Sequence, residues 1–117
     1  MKRLFSILLI CFLLTACGEK LYETIDTNKA MDIINNGAVL IDVRTPDEYN
    51  REHITNAVNI PLDQIDTINY DKNTPIIVYC QTGVRSKEAV EKLNEMGYSN
   101  LYNLDGGLLN WGGSLEE

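Results

Sequence analysis

Thiols and imidazoles are scarce in this 117-residue chain, which has three cysteines (Cys11, Cys17, Cys80) and one histidine, His53. With Cys11 and Cys17 placed in the leader and at its end, as described below, one available thiol and one histidine leave no ligand set for a zinc or Cys–His nucleophilic site. Basic charge is also short, with 10 Lys and Arg against 17 Asp and Glu and a net charge of −7. An acidic balance of that size argues against nucleic acid or an anionic membrane surface as a partner. The longest apolar run, Leu4 to Leu14, falls short of the roughly 20 residues that a lasting transmembrane helix needs. Internal repeats, low-complexity tracts and interior linkers are missing too, and the length suits one small domain.

What the first residues do contain is ordered. Met1-Lys2-Arg3 is a basic start, Leu4 to Leu14 an apolar core, and Leu14-Thr15-Ala16-Cys17 a small-residue stretch ending in cysteine. The pattern looks like a bacterial lipoprotein signal peptide over 1–16, with Cys17 lipidated by acyl chains such as palmitate and 17–21 serving as a short tether. The other reading is an ordinary signal cut near Ala16 that leaves Cys17 free. On the lipoprotein reading the domain, 22–117, is held on a bacterial membrane outside the cytoplasm. Cys11 is then lost with the leader and Cys17 consumed by lipid, so Cys80 is the one remaining thiol and no internal disulfide can form.

From Tyr22 onward, strand and helix patterns alternate. Tyr22 to Ile25 reads as a short strand. Asp26 or Thr27 can cap a helix carrying Ala30, Ile33 and Ile34, which Asn36-Gly37 ends. Val39 to Val43 is apolar apart from Asp42, as in a strand buried on both faces. Thr45-Pro46-Asp47-Glu48 then combines an N-cap, a first-turn proline and a capping-box glutamate, predicting a helix to about Glu52. Ala57 to Ile60 reads as a strand, and Leu62 to Asn69 as a short helical stretch. Pro75 to Tyr79 is the next strand, followed by a helix from Arg85 with Ala89, Val90, Leu93 and Met96 on its apolar side. Leu101 to Leu104 is the last strand, Asp105-Gly106-Gly107 a turn, and Leu108 to Trp111 a terminal helical turn. This alternation predicts an α/β fold with a largely parallel sheet and helices on both faces.

Chemistry concentrates at Cys80-Gln81-Thr82-Gly83-Val84-Arg85-Ser86, a thiol at a strand's end followed by a short loop and a helix start. Unpaired N–H groups at a helix start stabilise an anion, and a thiol held there ionises more readily. Ligands of open parallel sheets bind beyond the carboxyl ends of the strands, where both Cys80 and Asp42-Val43-Arg44 fall.

These residues together resemble the rhodanese-like family. Val39 to Tyr49 is similar to its first signature, and His53-Ile54 with Ala57-Val58-Asn59-Ile60-Pro61 to its second block. Cys80 to Ser86 is similar to the active-site loop of single-domain sulfurtransferases, and Asp105-Gly106-Gly107 with Trp111 to the closing motif. The resemblance implies a five-stranded parallel sheet and transfer of sulfane sulfur through a cysteine persulfide, with no metal or organic cofactor. The partners implied are a small sulfur-containing anion (thiosulfate, polysulfide or a persulfide) and a thiol or cyanide acceptor. Carried over by position, Cys80 is the nucleophile. The N–H groups from Gln81 through Thr82, Gly83, Val84, Arg85 and Ser86 line the cradle, and Arg85 closes the loop and adds positive charge. The chain departs from the pattern at Glu52, before His53, and at Thr55-Asn56, where the family often has Pro-Gly.

Plainer roles suit the neighbours. His53 reads as structural, since an ionised thiol needs no base. Asp42 reads as a residue that fixes backbone N–H groups or pairs with an arginine, with general acid as the alternative. Arg44 has three readings: a pair with Asp42, a pair with Glu48, or attraction of anions. Two rival functions stand beside sulfur transfer. One is a non-enzymatic persulfide carrier or docking module. The other is a phosphatase or arsenate reductase on the same fold, disfavoured because only four residues separate Cys80 from Arg85 and a tetrahedral oxyanion needs a longer loop.

Overall fold

The structure is a computed structural model and describes residues 21–117. The leader at 1–16, Cys17 and the tether up to residue 20 lie outside the described residues.

Five parallel strands form the main sheet in the order β1-β6-β5-β2-β4. They are β1 (Glu23–Ile25), β2 (Val39–Asp42), β4 (Val58–Asn59), β5 (Ile76–Tyr79) and β6 (Leu101–Leu104). The α-helices are α1 (Thr27–Asn35), α2 (Pro46–Arg51) and α3 (Val84–Glu95), and two 3₁₀ segments cover Leu62–Thr67 and Gly107–Asn110. β5 lies at the centre because all four of its side chains are apolar or aromatic and all four are buried. Removing a side chain of this size from water is worth about 1.5–3 kcal/mol, more than any single cap in the chain supplies.

Alternation along the strands divides the core in two. Ile41, Val43, Ile76, Val78 and Leu101 face Ala89, Val90 and Leu93 of α3 and Ile65 of the first 3₁₀ segment. Leu40, Ile77, Tyr79 and Leu104 face Ala30 of α1, with Tyr49 of α2 and Trp111 packed at the margin. Helices therefore cover both faces, as the alternation of patterns predicts.

Local signals set the helix ends. Asp26 caps α1, its Oδ1 accepting from the Lys29 N–H at 2.9 Å. Gly37 takes the left-handed conformation just beyond the C-cap. Thr45 and Glu48 form the expected capping box at α2, with Pro46 in its first turn. Leu62–Thr67 winds as a 3₁₀ segment instead of an α-helix and buries only Ile65. Asn56 occupies the turn where Thr55-Asn56 departs from the family pattern. Its φ of 69° is one that asparagine tolerates better than most residues.

One feature is absent from the sequence reading. His53–Ile54 (β3) pairs antiparallel with Leu115–Glu116 (β7) to form a second, two-stranded sheet. Two residues are too few to display a strand period.

The topology also positions the site. After β2 the chain passes to β4 on one side of the sheet order, and after β5 to β6 on the other. The order thus reverses between β2 and β5, and the helices that follow them, α2 and α3, lie on opposite faces. A crevice is expected outside the carboxyl ends of two such strands.

Candidate active site

Cys80 follows β5 directly and is buried at 1 % exposure. The chain then turns through Gln81 and Thr82 to Gly83, whose φ of 107° is open to glycine and poor for other residues. That conformation turns the Gly83 N–H back onto Cys80 Sγ at 3.0 Å. α3 starts at Val84, one residue earlier than the sequence predicts, with Gly83 as its N-cap. Glycine has no side chain to occupy the first-turn N–H groups, so they remain available to an anion.

Burial pushes the Cys80 thiol up, but the Ser86 hydroxyl and the N–H groups of Ser86, Gly83 and Thr82 outweigh it, and the thiol lies below its ordinary value. In the neutral form Sγ–H donates to Ser86 Oγ at 3.6 Å. Ser86 Oγ in turn donates to Asn103 Oδ1 on β6.

The loop leans on its surroundings at three points. The Cys80 carbonyl accepts from the Leu108 N–H at 2.8 Å and the Gln81 carbonyl from the Leu109 N–H at 3.2 Å. Gly107 allows this approach, since a Cβ there would collide with the Cys80 and Gln81 backbone. Gln81 Oε1 accepts from Arg44 Nη1 at 3.2 Å.

Arg44 is buried with Asp42, joined by Nη2–Oδ2 at 2.8 Å and by two bonds from Nε. Burial pulls the guanidinium down, but the Asp42 carboxylate outweighs it and raises the Arg44 pKa above its ordinary value. Asp42 also accepts the Arg44 N–H at 2.9 Å, while Arg44 Nη2 donates to the Glu52 carbonyl at 2.7 Å. Asp42 thus both fixes a backbone N–H and pairs with Arg44 at the carboxyl end of β2. Arg44 thereby carries a tie from β2 across to the residue after Cys80.

Arg85 lies in the first turn of α3 and pairs with Glu48 of α2 rather than standing alone. His53 is placed by β3. Its ring stacks on Tyr49 at 3.6 Å between centroids, Nδ1 meets the Tyr49 carbonyl at 2.7 Å and Nε2 meets Glu116 at 3.2 Å. Beside the loop, a depression of about 510 Å³ is lined by Arg44, Glu48, Arg51, Glu52, Gln81 and Leu108. Among the described residues, no three His, Cys, Asp or Glu side chains converge as a metal site would require.

A family profile for the rhodanese-like domain matches residues 25–114. The chain belongs to the rhodanese-like family. This rhodanese-like domain is 45% identical over 83 residues to the uncharacterized protein YqhL of Bacillus subtilis, covering 68% of the chain and 64% of that protein. It is 46% identical over 70 residues to the thiosulfate sulfurtransferase PspE of Escherichia coli, covering 56% of the chain and 67% of that protein. The chain therefore spans about two thirds of each, slightly less for the first. Among solved structures, a rhodanese-like domain protein from Staphylococcus aureus superposes with a TM-score of 0.71 at 34% identity, covering 80% of this chain and 96% of that one. The five-stranded parallel sheet with flanking helices is thus the rhodanese-like fold, and sulfurtransferases are among its relatives.

Two contacts of the site, those of Asn103 with Ser86 and of Glu48 with Arg85, have no local sign in the sequence. Asn103 falls inside the last strand, where the only sign was a polar residue at the same alternation as Leu101. Glu48 is recognisable as a capping residue, but its second bond, to Arg85 some 37 positions away, leaves no local trace.

Proposed function

We propose that this rhodanese-like domain is a sulfurtransferase in which Cys80 takes up sulfane sulfur as a persulfide and passes it to a thiol or cyanide. The observation that carries this reading is the Gly83 N–H directed at the buried Cys80 Sγ, in a loop with only four residues between Cys80 and Arg85. The Cys80 thiolate attacks the outer sulfur of a donor such as thiosulfate. An Sγ–S bond forms, the donor S–S bond breaks, and sulfite leaves with the bonding pair. Negative charge passes from Sγ to the new terminal sulfur, and a cradle of backbone N–H groups serves both states. An acceptor thiolate or cyanide then takes the terminal sulfur and Cys80 returns as thiolate. Thr82, Gly83 and Ser86 offer N–H groups to the thiolate, while Gln81 and Arg85 hold the loop from its two ends. Thiosulfate, polysulfide and low-molecular persulfides all fit this chemistry.

Thiocyanate production from thiosulfate or polysulfide plus cyanide tests the reading, and loss of that activity in Cys80→Ser is expected. Hydrolysis of an aryl phosphate that depends on Cys80, without thiocyanate formation, would favour the phosphatase alternative. Persulfide loading without turnover on any acceptor would favour a carrier.

The proposal extends to location. The order of basic start, apolar run and Leu14-Thr15-Ala16-Cys17 supports a lipid anchor on Cys17 that holds the domain at a bacterial membrane outside the cytoplasm. Incorporation of labelled palmitate by the wild type and its loss in Cys17→Ala are expected. A soluble, unlabelled wild type would overturn the anchor.

A further inference from the structure

Asn103 is a polar residue in an apolar position. On β6 it shares its face with Leu101, lies opposite Val78 of β5 in register, and is 3 % exposed. An amide buried there carries a cost unless it is hydrogen-bonded. Its partner is Ser86, itself wholly buried, whose hydroxyl also meets Cys80 Sγ at 3.6 Å. The chain runs from Cys80 S–H to Ser86 O–H to Asn103 Oδ1, with each group donating to the next.

That order suits the thiol only. A thiolate has no hydrogen and can only accept, so the single Ser86 hydrogen must turn from Asn103 to Sγ. Ser86 Oγ and Asn103 Oδ1 would then face each other with lone pairs alone. An asparagine can relieve this by rotating its amide, which puts Nδ2–H where Oδ1 had been. Neither aspartate nor leucine can do so. We propose that Asn103 is a positioning residue for Cys80, its amide reversing as the thiol ionises so that Ser86 accepts from the thiol and donates to the thiolate. The inference rests on the reading of Cys80 as the reacting thiol.

The test is the pH profile of Cys80 alkylation by iodoacetamide in the full chain, read by peptide mass spectrometry so that Cys80 alone is scored. Asn103→Asp can only accept and adds negative charge, so alkylation at neutral pH should fall at least about tenfold and the midpoint should move up. Asn103→Leu takes a partner from Ser86 in both protonation states, so its effect should be far smaller than that of Asn103→Asp, no more than roughly threefold. In a Ser86→Ala background, Asn103→Leu should cause no further change, since its effect passes through the hydroxyl. Profiles for both Asn103 variants that superimpose on the wild type would overturn the proposal. So would a leucine effect that persists undiminished without Ser86. If melting shows the leucine variant unfolded, Asn103→Asp is compared with and without Ser86→Ala: a shift that shrinks without Ser86 supports the proposal, and one that persists in full, or no shift at all, overturns it. Iodoacetamide needs a thiolate and no sulfur donor, so failure of the sulfur-transfer reading would leave these profiles intact and would show separately as absent thiocyanate.

Discussion

Arg85 and Glu48 face each other in a two-pronged ion pair, Nη1 to Oε1 at 2.7 Å and Nη2 to Oε2 at 3.0 Å. The pair joins the first turn of α3 to the first turn of α2 across the crevice between β5 and β2. Its effect is to clamp the loop and to set a carboxylate against the arginine's charge. Charge on Cys80 Sγ is met by the Ser86 hydroxyl first and then by the backbone N–H groups of Ser86, Gly83 and Thr82. The backbone groups are fixed in place and, on the proposed sulfur-transfer chemistry, need not reorganise when charge moves from one sulfur to the next.

The clamp should respond to acid. Arg85 holds the Glu48 carboxyl down to about 2, aided by the Thr45 N–H and opposed by partial burial. The folded value lies below the ordinary 4.5, so the stabilisation is complete above about pH 4.5 and is lost as pH falls towards 2. Glu48→Gln should cost about 1 kcal/mol near neutrality, since the pair is partly exposed. Thermal melts of the wild type and Glu48→Gln at several pH values check this, with the two curves expected to converge in acid.

Asp42→Ala should be far more damaging. It strips the counter-charge from Arg44, which is only 3 % exposed, and breaking such a pair costs about 3–5 kcal/mol. That is a large part of the roughly 5–15 kcal/mol available to a domain of this kind. Urea unfolding should show the loss, and Asp42→Ala with Arg44→Met should recover much of it.

Gly107→Ala should strain the site from outside the loop. Gly107 has φ of 60°, and an added Cβ would meet the Cys80 carbonyl and lie 2.8 Å from the Gln81 carbonyl carbon. A cost of about 1–3 kcal/mol follows from the backbone conformation alone. Relief of the collision must displace the backbone of Cys80 and Gln81, so melting and Cys80 alkylation should both suffer.

Cys80 itself should stay reactive at a pH where an ordinary thiol is protonated. Burial opposes ionisation, yet Ser86, Gly83 and Thr82 together bring the thiol below its usual value. Thiolate character is therefore retained as pH falls into the range just below the ordinary thiol pKa. Ser86→Ala should shift the alkylation midpoint upward, and a peptide containing the same loop should titrate higher than the folded protein.

The parts of this molecule that were legible in sequence are those specified within a few neighbouring residues. β5 is a continuous apolar run, the α2 start is written in Thr45-Pro46-Asp47-Glu48, and Cys80 stands at a strand end before a glycine. The missed features depend on distant partners. β3 and β7 exist only as a pair, with His53 opposite Glu116. Asn103 in a strand looks like an interruption until Ser86 is placed beside it, and Glu48 looks complete as a cap until α3 brings Arg85 to it. The start of α3 shifted to Val84 because Gly83 adopts a left-handed φ and can act as the N-cap without a side chain.

The most direct test of the central claim is intact-protein and peptide mass spectrometry after treatment with thiosulfate or polysulfide. The account predicts a gain of one sulfur atom on Cys80, removed by cyanide or by a thiol, and absent in Cys80→Ser. A wild-type protein that gains no sulfur on Cys80 from any of these donors would contradict it.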